Sequence, residues 1–180
     1  MAEVLPQERR SALLVPVPAE GLVDGFRQRH LAATVARRLP PHVTVLFPFA
    51  PVEDLDAALI EQLRSHFSSC TSFTAELTRV GRFDAHVCLA PEPHAQFVAL
   101  LTATFARFPG FPPYGNAFAE AVPHVTIAEV GANATVEHLE ELAEQELGPL
   151  LPFGFAVGHV GLFEELSDGT WRQADSFELG

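Results

Sequence analysis

The sequence predicts a fold that combines helices and strands in two structurally similar lobes, related by a pseudo-twofold axis. Two observations support this prediction. The order helix, strand, helix, strand, strand occurs twice along the chain. Two tetrapeptides also recur at matching places: Pro-His-Val-Thr at 41–44 and 123–126, and Val-Gly-x-Phe at 80–83 and 160–163. Because both repeats keep their order and an offset of about 80 residues, they indicate an internal duplication within one domain over residues 1–180.

A strand and a helix are predicted before the first His motif. The apolar run at 12–17 indicates a strand. A weak helical stripe follows, formed by Leu22, Phe26 and Ala33. Pro40-Pro41 must end any helix there, because proline has no amide hydrogen and clashes with the preceding turn. The β-branched and aromatic residues at 42–47 then predict a strand that carries the motif.

A clear amphipathic helix is predicted after this strand. Apolar residues recur three and four positions apart, at Val52, Leu55, Leu59, Leu63 and Phe67. We place Glu53 and Asp54 in its first turn, where acidic side chains suit the helix dipole. A strand pair at 73–83 and 86–90 follows, with its turn at 83–85.

The second half of the chain repeats this order. Two helices are marked by Phe97, Leu101, Phe105 and Phe108, and by Val136, Leu139, Ala143 and Leu147. A Pro- and Gly-rich loop at 109–115 leads to the second motif strand, at 124–128. A sequon at 133–135 is interpreted as a loop and helix start. A closing strand pair is predicted at 153–163 and 170–177, with its turn at 167–169.

Composition and charge exclude several classes of protein. The chain has 180 residues, 48% of them hydrophobic, so it can form a core and is not disordered. Its 23 acidic residues exceed its 11 basic residues, all arginine, and the net charge is −12. This balance leaves no broad basic surface for a long nucleic acid. A small anion held by a few local donors is still compatible with it.

Other features bear on location and cofactors. Cys70 and Cys88 are the two cysteines, too few for a disulfide scaffold or a Cys-based zinc site. No stretch reaches the roughly 18 apolar residues of a membrane span, and the run at 12–17 is too short for a signal peptide. We therefore expect a cytoplasmic protein with no membrane partner.

The two His motifs carry the chemistry. Side chains alternate along a strand, so His42 and Thr44 point to one face, as do His124 and Thr126. If the lobes face each other, two imidazoles and two hydroxyls converge on one cleft. One imidazole can deprotonate an attacking water or hydroxyl and the other can protonate the leaving oxygen, near neutral pH. Threonine hydroxyls can donate to phosphoryl oxygens. This set suits a phosphodiester and requires no metal or other cofactor.

Paired His-x-Thr motifs about 80 residues apart resemble those of the 2H phosphoesterase superfamily, which includes bacterial 2′-5′ RNA ligases, now viewed as RNA 2′,3′-cyclic phosphodiesterases. The resemblance covers nearly the whole chain. It implies a bilobal α+β fold with two antiparallel sheets lining a central cleft. It implies that His42 and His124 are catalytic, and that Thr44 and Thr126 hold the phosphate. The expected function is a metal-independent phosphodiesterase that hydrolyses a 2′,3′-cyclic phosphate, or a related small cyclic phosphodiester of RNA or nucleotides. Weak 2′-5′ RNA ligase activity belongs to the same hypothesis.

Other residues are candidates for substrate binding. Arg82 and Arg79 lie beside the first Val-Gly-x-Phe, and an arginine there can bind phosphate or be simply solvated. Tyr114 can contact a base or phosphate, or pack structurally. Trp171 can stack on a base or pack within the fold. Phe47 has the same alternatives, with core burial favoured, and Cys88 is interpreted as a small core residue.

Two other functions are compatible with the sequence. The cleft can bind a nucleotide or phosphate without turnover, as a non-catalytic module. A His-metal hydrolase is disfavoured because hydroxyls, not carboxylates, accompany each histidine. The expected partner is a small phosphodiester or an RNA terminus. We expect a monomer, because the duplication already supplies both halves of the cleft.

Overall fold

The computed structural model describes residues 8–83, 85–112, 122–131 and 134–180, and all helices and strands below belong to these residues. The strands are β1 (Ser11–Pro16), β2 (His42–Leu46), β3 (Phe73–Phe83), β4 (His86–Glu92), β5 (Val125–Glu129), β6 (Phe153–Val157), β7 (His159–Glu165) and β8 (Trp171–Glu178). The helices are α1 (Glu20–His30), α2 (Ala32–Ala36), α3 (Ala57–Ser68), α4 (His94–Arg107) and α5 (Val136–Glu146). Short 3-10 turns occur at Val52–Asp54 and Gly148–Leu150.

Two four-stranded antiparallel sheets form the framework, with strand orders β2-β1-β7-β8 and β5-β4-β3-β6. The motif-bearing strands β2 and β5 occupy the same place, an edge, in the two sheets. The strands with Val-Gly-x-Phe, β3 and β7, occupy the third place in each. The α+β fold with two pseudo-twofold-related antiparallel sheets, expected from the sequence, is therefore confirmed.

The two halves of the chain exchange strands between the sheets. β3 belongs to the first half, but it pairs with β4 and β6 in the second sheet. β7 belongs to the second half and pairs with β1 in the first sheet. Neither half therefore completes a sheet by itself.

The structure corrects the prediction of one closing strand at 153–163. The segment is two strands, because β6 pairs with β3 in one sheet and β7 pairs with β1 in the other. Gly158 separates them. The apolar pattern continues through both strands, so the periodicity gives no sign of the change of sheet.

Helix boundaries also differ from prediction. α3 begins at Ala57, because the Asp56 carboxylate accepts a hydrogen bond from the Leu59 amide at 2.8 Å and caps the helix. Glu53 and Asp54 lie in the preceding 3-10 turn, not in the first turn of α3 as predicted. Ala33 is exposed in the separate helix α2, not part of one helical stripe. Thr135 caps α5, as the predicted helix start requires, whereas Asn133 and the turn residue Asp84 are outside the described residues.

One continuous hydrophobic core joins the sheets and helices. Leu13 and Val15 of β1 and Leu77 and Val80 of β3 point into it. The buried faces of the helices complete it, with Val23 and Phe26 of α1, Leu63 and Phe67 of α3, Phe97 and Leu100 of α4, and Leu139 and Ala143 of α5. The opposite faces of the two motif strands carry the half-buried Thr44 and Thr126. Within the described residues, no helix is long and apolar enough to span a bilayer.

Candidate active site

His42 is held by a backbone carbonyl immediately before β2. Its Nδ1 lies 2.7 Å from the carbonyl oxygen of Pro40. A carbonyl can only accept, so Nδ1 carries the hydrogen and donates it. In the neutral ring this leaves Nε2 unprotonated, with its lone pair available as a base.

His124 has the same arrangement at the start of β5. Its Nδ1 lies 2.7 Å from the carbonyl oxygen of Val122, again two residues earlier. The ring also stacks on Phe83, with 5.4 Å between centroids and 25° between planes. The sequence predicted His124 inside the strand, whereas it lies just before β5. The matching carbonyl bonds leave Nε2 as the free nitrogen of both rings.

The predicted alternation of side chains is present in both strands. Val43 and Val45 are buried, whereas His42 and Thr44 are half-buried on the other face. In the second strand Val125 and Ile127 are buried and Thr126 is half-buried. Among the described residues, neither threonine hydroxyl makes a hydrogen bond. Both hydroxyls are therefore able to donate to a bound anion.

Burial makes both histidines weaker bases than usual. Loss of solvent lowers the pKa of His42 to about 4, opposed by its bond to Pro40, and the charge of His124 contributes to the decrease. Burial also lowers the pKa of His124 from its usual value. β2 and β5 contact each other, which agrees with the interaction of the two rings. In the free protein at neutral pH, both rings are neutral.

Arg27 is a residue of this site that sequence reasoning missed. It is 3% exposed, and its Nη2 donates to the carbonyl of Leu39 at 2.9 Å. Its charge is a further cause of the low pKa of His42. Because Leu39 precedes Pro40, the guanidinium holds the peptide segment that orients His42. One feature of the sequence could have identified Arg27. It is a basic residue that shares the buried face of α1 with Val23 and Phe26.

The first sheet carries a small apolar cluster on the face that bears Thr44. Leu14 pairs with Thr44 on one side and with Gly161 on the other. Phe163 lies two residues beyond Gly161, and belongs to a small buried cluster with Ala12, Leu14 and Trp171.

Trp171, for which the sequence allowed base stacking or packing, is buried in the structure. It is 4% exposed, and Phe47 packs on it in an edge arrangement at 6.1 Å. The Arg10 guanidinium lies over both rings, at 5.6 and 5.8 Å, and is fixed by Glu165 at 2.9 Å. These contacts and its burial favour packing as the role of Trp171, whereas Phe47 is only partly buried.

The second sheet separates the two candidate arginines. Arg82 lies on the face towards α5, where it forms ion pairs with Glu137 at 2.8 Å and Glu140 at 3.7 Å. Strand alternation turns Arg82 away from the face that carries Gly81, so its placement does not support the predicted substrate contact. Arg79 and Gly81 lie on the cleft face, opposite to the buried Val80.

The other predicted residues have different outcomes. Cys88 is buried on the cleft face beside Thr126, and burial raises the pKa of its thiol to about 11. It is therefore an unreactive thiol, as expected. Tyr114 is outside the described residues. The described residues contain no group of three or more His, Cys, Asp or Glu side chains arranged to hold a metal ion.

Comparison with known proteins gives matches over most of the chain. A family model described as the 2′-5′ RNA ligase superfamily matches residues 15–169. A Bacillus pumilus protein named "Putative phosphoesterase" is 29% identical over 147 residues, covering 79% of this chain and 81% of the relative. A Halalkalibacterium halodurans protein with a similar name is 24% identical over 174 residues, covering 94% of this chain and 95% of the relative.

Solved structures share the fold at low sequence identity. Escherichia coli LigT, complexed with NADP+, gives a TM-score of 0.59 at 16% identity, covering 96% of this chain and 98% of that protein. The protein TT0787 of Thermus thermophilus gives a TM-score of 0.57 at 16% identity, covering 94% and 97%. At this identity the similarity concerns the fold.

Proposed function

The chain belongs to the 2′-5′ RNA ligase superfamily, and we propose that it is a metal-independent phosphodiesterase that opens 2′,3′-cyclic phosphates or related small cyclic phosphodiesters. The phosphoesterase names of its relatives support a hydrolase. The observation that carries the proposal is the matched orientation of His42 and His124. Both rings donate Nδ1–H to a carbonyl and keep Nε2 for the reaction.

His42 is proposed as the general base. Its Nε2 takes a proton from water while the water oxygen attacks phosphorus. The low pKa of His42 keeps Nε2 unprotonated, and the nearby Arg27 opposes its protonation further. No arginine contributes to the pKa of His124, so the surrounding charges favour the unprotonated state at His42 more than at His124.

His124 is proposed as the general acid. It gives a proton from Nε2 to the ribose oxygen as the bond from phosphorus to that oxygen breaks. The product is a phosphate monoester with a free hydroxyl, and the catalyst has moved one proton from His124 to His42. A bound phosphodiester anion raises the pKa of His124, which allows it to carry this proton.

Thr44 and Thr126 are proposed to donate to the non-bridging phosphoryl oxygens. Their hydroxyls lie on the same strand faces as the two histidines. Negative charge on these oxygens increases in the transition state, so preorganised donors stabilise it more than the substrate. When a 5′-hydroxyl attacks phosphorus in place of water, the same ring opening forms a 2′-5′ phosphodiester and frees the 3′-hydroxyl, which is the weak 2′-5′ ligase reaction.

The test is hydrolysis of the four nucleoside 2′,3′-cyclic phosphates in EDTA. The variants are His42→Asn and His124→Asn, because an asparagine amide can replace Nδ1–H but has no equivalent of Nε2. His94→Asn, at the exposed start of α4, is the matched control. We expect turnover by the wild type and the control, and loss in both site variants.

Other outcomes separate the alternatives. Turnover that requires added metal contradicts the two-histidine mechanism. Tight nucleotide binding without turnover of any cyclic phosphate indicates the non-catalytic binding module. The position of the phosphate in the product, 2′ or 3′, identifies the oxygen that leaves.

A further inference from the structure

A pocket of about 650 Å³, the α3–α4 pocket, lies between α3 and α4, apart from the candidate active site. One side is formed by His66 of α3 and by residues 69–73, which connect α3 to β3. The other side is one face of α4, from Gln96 to Arg107. Both helices bury their other faces in the hydrophobic core, whereas His42 lies on the face of β2 opposite to the core. A molecule in this pocket is therefore separate from a substrate at the two histidines.

Small side chains of α4 leave this space open. Ala99, Ala103 and Ala106 lie three or four positions apart, so they share one face of the helix, and all three are exposed. Alanine has no side-chain atom beyond Cβ, so this face does not fill the groove between the helices. From Gln96 to Arg107 the helical rise gives the pocket a length of roughly 16 Å.

Contacts at the base of the α3–α4 pocket hold the two helices together. The Thr104 hydroxyl donates to the carbonyl of Leu100 at 2.8 Å, so its oxygen accepts the hydrogen of His66 Nε2 at 3.1 Å. The His66 ring also packs edge-on against Phe108, with 5.7 Å between centroids. Thr104, Leu100 and Phe108 are buried. The pocket is therefore formed in the free protein, which is typical of small-molecule sites.

The charge of the lining favours an anion. Among the described residues that line the pocket, Arg107 is charged and none is aspartate or glutamate. Nη2 of Arg107 donates to the neutral amide oxygen of Gln62 at 3.1 Å. Burial and the charge of Arg107 lower the pKa of His66, so this ring is neutral at pH 7. On a protein of net charge −12, the pocket thus presents one cation beside apolar walls.

Two other pockets of similar volume differ in their charge. One is lined by Glu76 and Glu92. The other is lined by Glu53 and Glu165, and Glu165 already forms an ion pair with Arg10 at 2.9 Å. Carboxylates at both places repel an anion or neutralise the arginine beside them. The charge of its lining therefore distinguishes the α3–α4 pocket from these two.

We propose that the α3–α4 pocket binds a small amphipathic carboxylate, a molecule with an apolar chain and one anionic head. The carboxylate accepts hydrogen bonds from Arg107, because a planar guanidinium matches two carboxylate oxygens. The chain lies along Ala103 and Ala99, where it is removed from water. The volume lies within the range of small-molecule sites, roughly 300–1,000 Å³. The proposal is independent of the proposed function, because it involves neither His42 nor His124.

The experiment compares octanoate, butanoate and octan-1-ol, each below the concentration at which it aggregates. Butanoate keeps the charge with a shorter chain, and octan-1-ol keeps the chain without the charge. Binding is measured by calorimetry and by protection of Cys70 from alkylation with iodoacetamide, followed by mass spectrometry. Cys70 lines the pocket and is partly exposed, whereas Cys88 is buried and its thiol pKa is raised to about 11. Protection of Cys70 therefore locates the ligand.

Two variants alter the pocket, and each has a matched control. Arg107→Gln removes the charge from the lining, whereas Arg64→Gln removes an arginine of α3 that does not line the pocket. Ala103→Phe fills the middle of the pocket. Ala95→Phe adds the same ring at an exposed position of α4 outside the lining.

We expect octanoate to bind the wild type about 10²-fold more tightly than butanoate, because it has four more methylenes and each one buried contributes about fourfold. Octan-1-ol should bind about tenfold more weakly than octanoate, the effect of a charge-assisted hydrogen bond. Arg107→Gln should remove the difference between octanoate and octan-1-ol. Ala103→Phe should abolish protection of Cys70, and both controls should behave as the wild type.

Several results would overturn the proposal. They are no binding of octanoate by the wild type, binding without protection of Cys70, equal affinity for octanoate and octan-1-ol, and equal losses in Arg64→Gln and Arg107→Gln. Analytical ultracentrifugation tests another occupant. Self-association of the wild type that Ala103→Phe abolishes, without octanoate binding, assigns the pocket to a second copy of the chain and equally overturns the proposal.

Discussion

His42 and His124 each donate Nδ1–H to the carbonyl oxygen two residues before them, at the same distance of 2.7 Å. The carbonyls belong to Pro40 and Val122, and in both places a proline separates carbonyl and histidine. The two motifs thus fix ring orientation as well as residue identity. The predictions below follow from this shared orientation and from the differences between the two surroundings.

Activity should be highest on the acidic side of pH 6.5. In the free protein the base His42 has a pKa of about 4 and must be deprotonated, and the acid His124 has a lowered pKa and must be protonated. The profile of kcat/KM should therefore be bell-shaped, rising above about pH 4 and falling before pH 6.5. A profile that increases monotonically from pH 5 to 9 contradicts these roles.

Arg27→Met should move the acidic limb of that profile to higher pH. The variant keeps an apolar side chain on α1 but removes the charge that opposes protonation of His42. It also removes the hydrogen bond to the carbonyl of Leu39. Arg29→Met, at an exposed position of the same helix, is the control. An unchanged limb in Arg27→Met, with normal folding by circular dichroism, indicates that Arg27 is structural only.

Acid should destabilise the protein through His42. Its pKa is lower in the folded protein than the usual 6.5, so the unfolded chain binds this proton more tightly. The stabilisation is complete above pH 6.5 and is lost as the pH falls towards about 4. Up to about 3 kcal/mol follows from the size of the shift. Urea unfolding at pH 7 and pH 4.5 should show a smaller loss in His42→Asn than in the wild type.

Thr44→Val and Thr126→Val should each lower kcat with little effect on stability. Valine keeps the shape and strand preference of threonine but cannot donate to a phosphoryl oxygen. The expected loss is about 10²-fold for each variant, as for a single oxyanion donor. Thr74→Val, at an exposed position of β3, should leave kcat unchanged. Full activity of both site variants would exclude the threonines as donors.

The two equivalent glycines should respond differently to alanine. A Cβ at residue 161 would lie 2.7 Å from Cε2 of Phe163, a buried ring that cannot move freely. A Cβ at residue 81 would lie 3.4 Å from the flexible end of Arg79. Gly161→Ala should therefore reduce the free energy of unfolding by about 1–3 kcal/mol. Gly81→Ala should be tolerated. Equal losses of unfolding free energy in the two variants would contradict this difference between the surroundings of the two glycines.

Much of the fold was predictable because its elements have strong local patterns. The apolar spacing of α4 and α5 and the alternation in β2 and β5 follow from the periods of helix and strand. The wrongly predicted boundaries lie where one apolar pattern continues from one secondary-structure element into the next. Val52 and Leu55 precede α3 with helical spacing, and the residues from 153 to 163 continue from one sheet into the other.

The candidate site likewise has residues that the sequence identified and residues whose surroundings only the structure shows. The paired His-x-Thr motifs indicated His42, Thr44, His124 and Thr126 by sequence alone. Of the two arginines beside Val-Gly-x-Phe, the sequence-based choice was Arg82, which the structure turns towards α5. The burial of Trp171 and the contact of Arg27 with Leu39 depend on residues far apart in the chain.

The sequence by itself indicated the duplicated order of elements, the two strands that carry the motifs, and the two imidazoles and two hydroxyls of the candidate site. These features are local, because the period of a strand decides which side chains share a face. Only the tertiary structure decided the exchange of β3 and β7 between the sheets, the position of Arg27 near His42, and the face on which each arginine lies. Those depend on which distant strands pair and which distant segments bury each other, and the period of a single helix or strand does not specify either one.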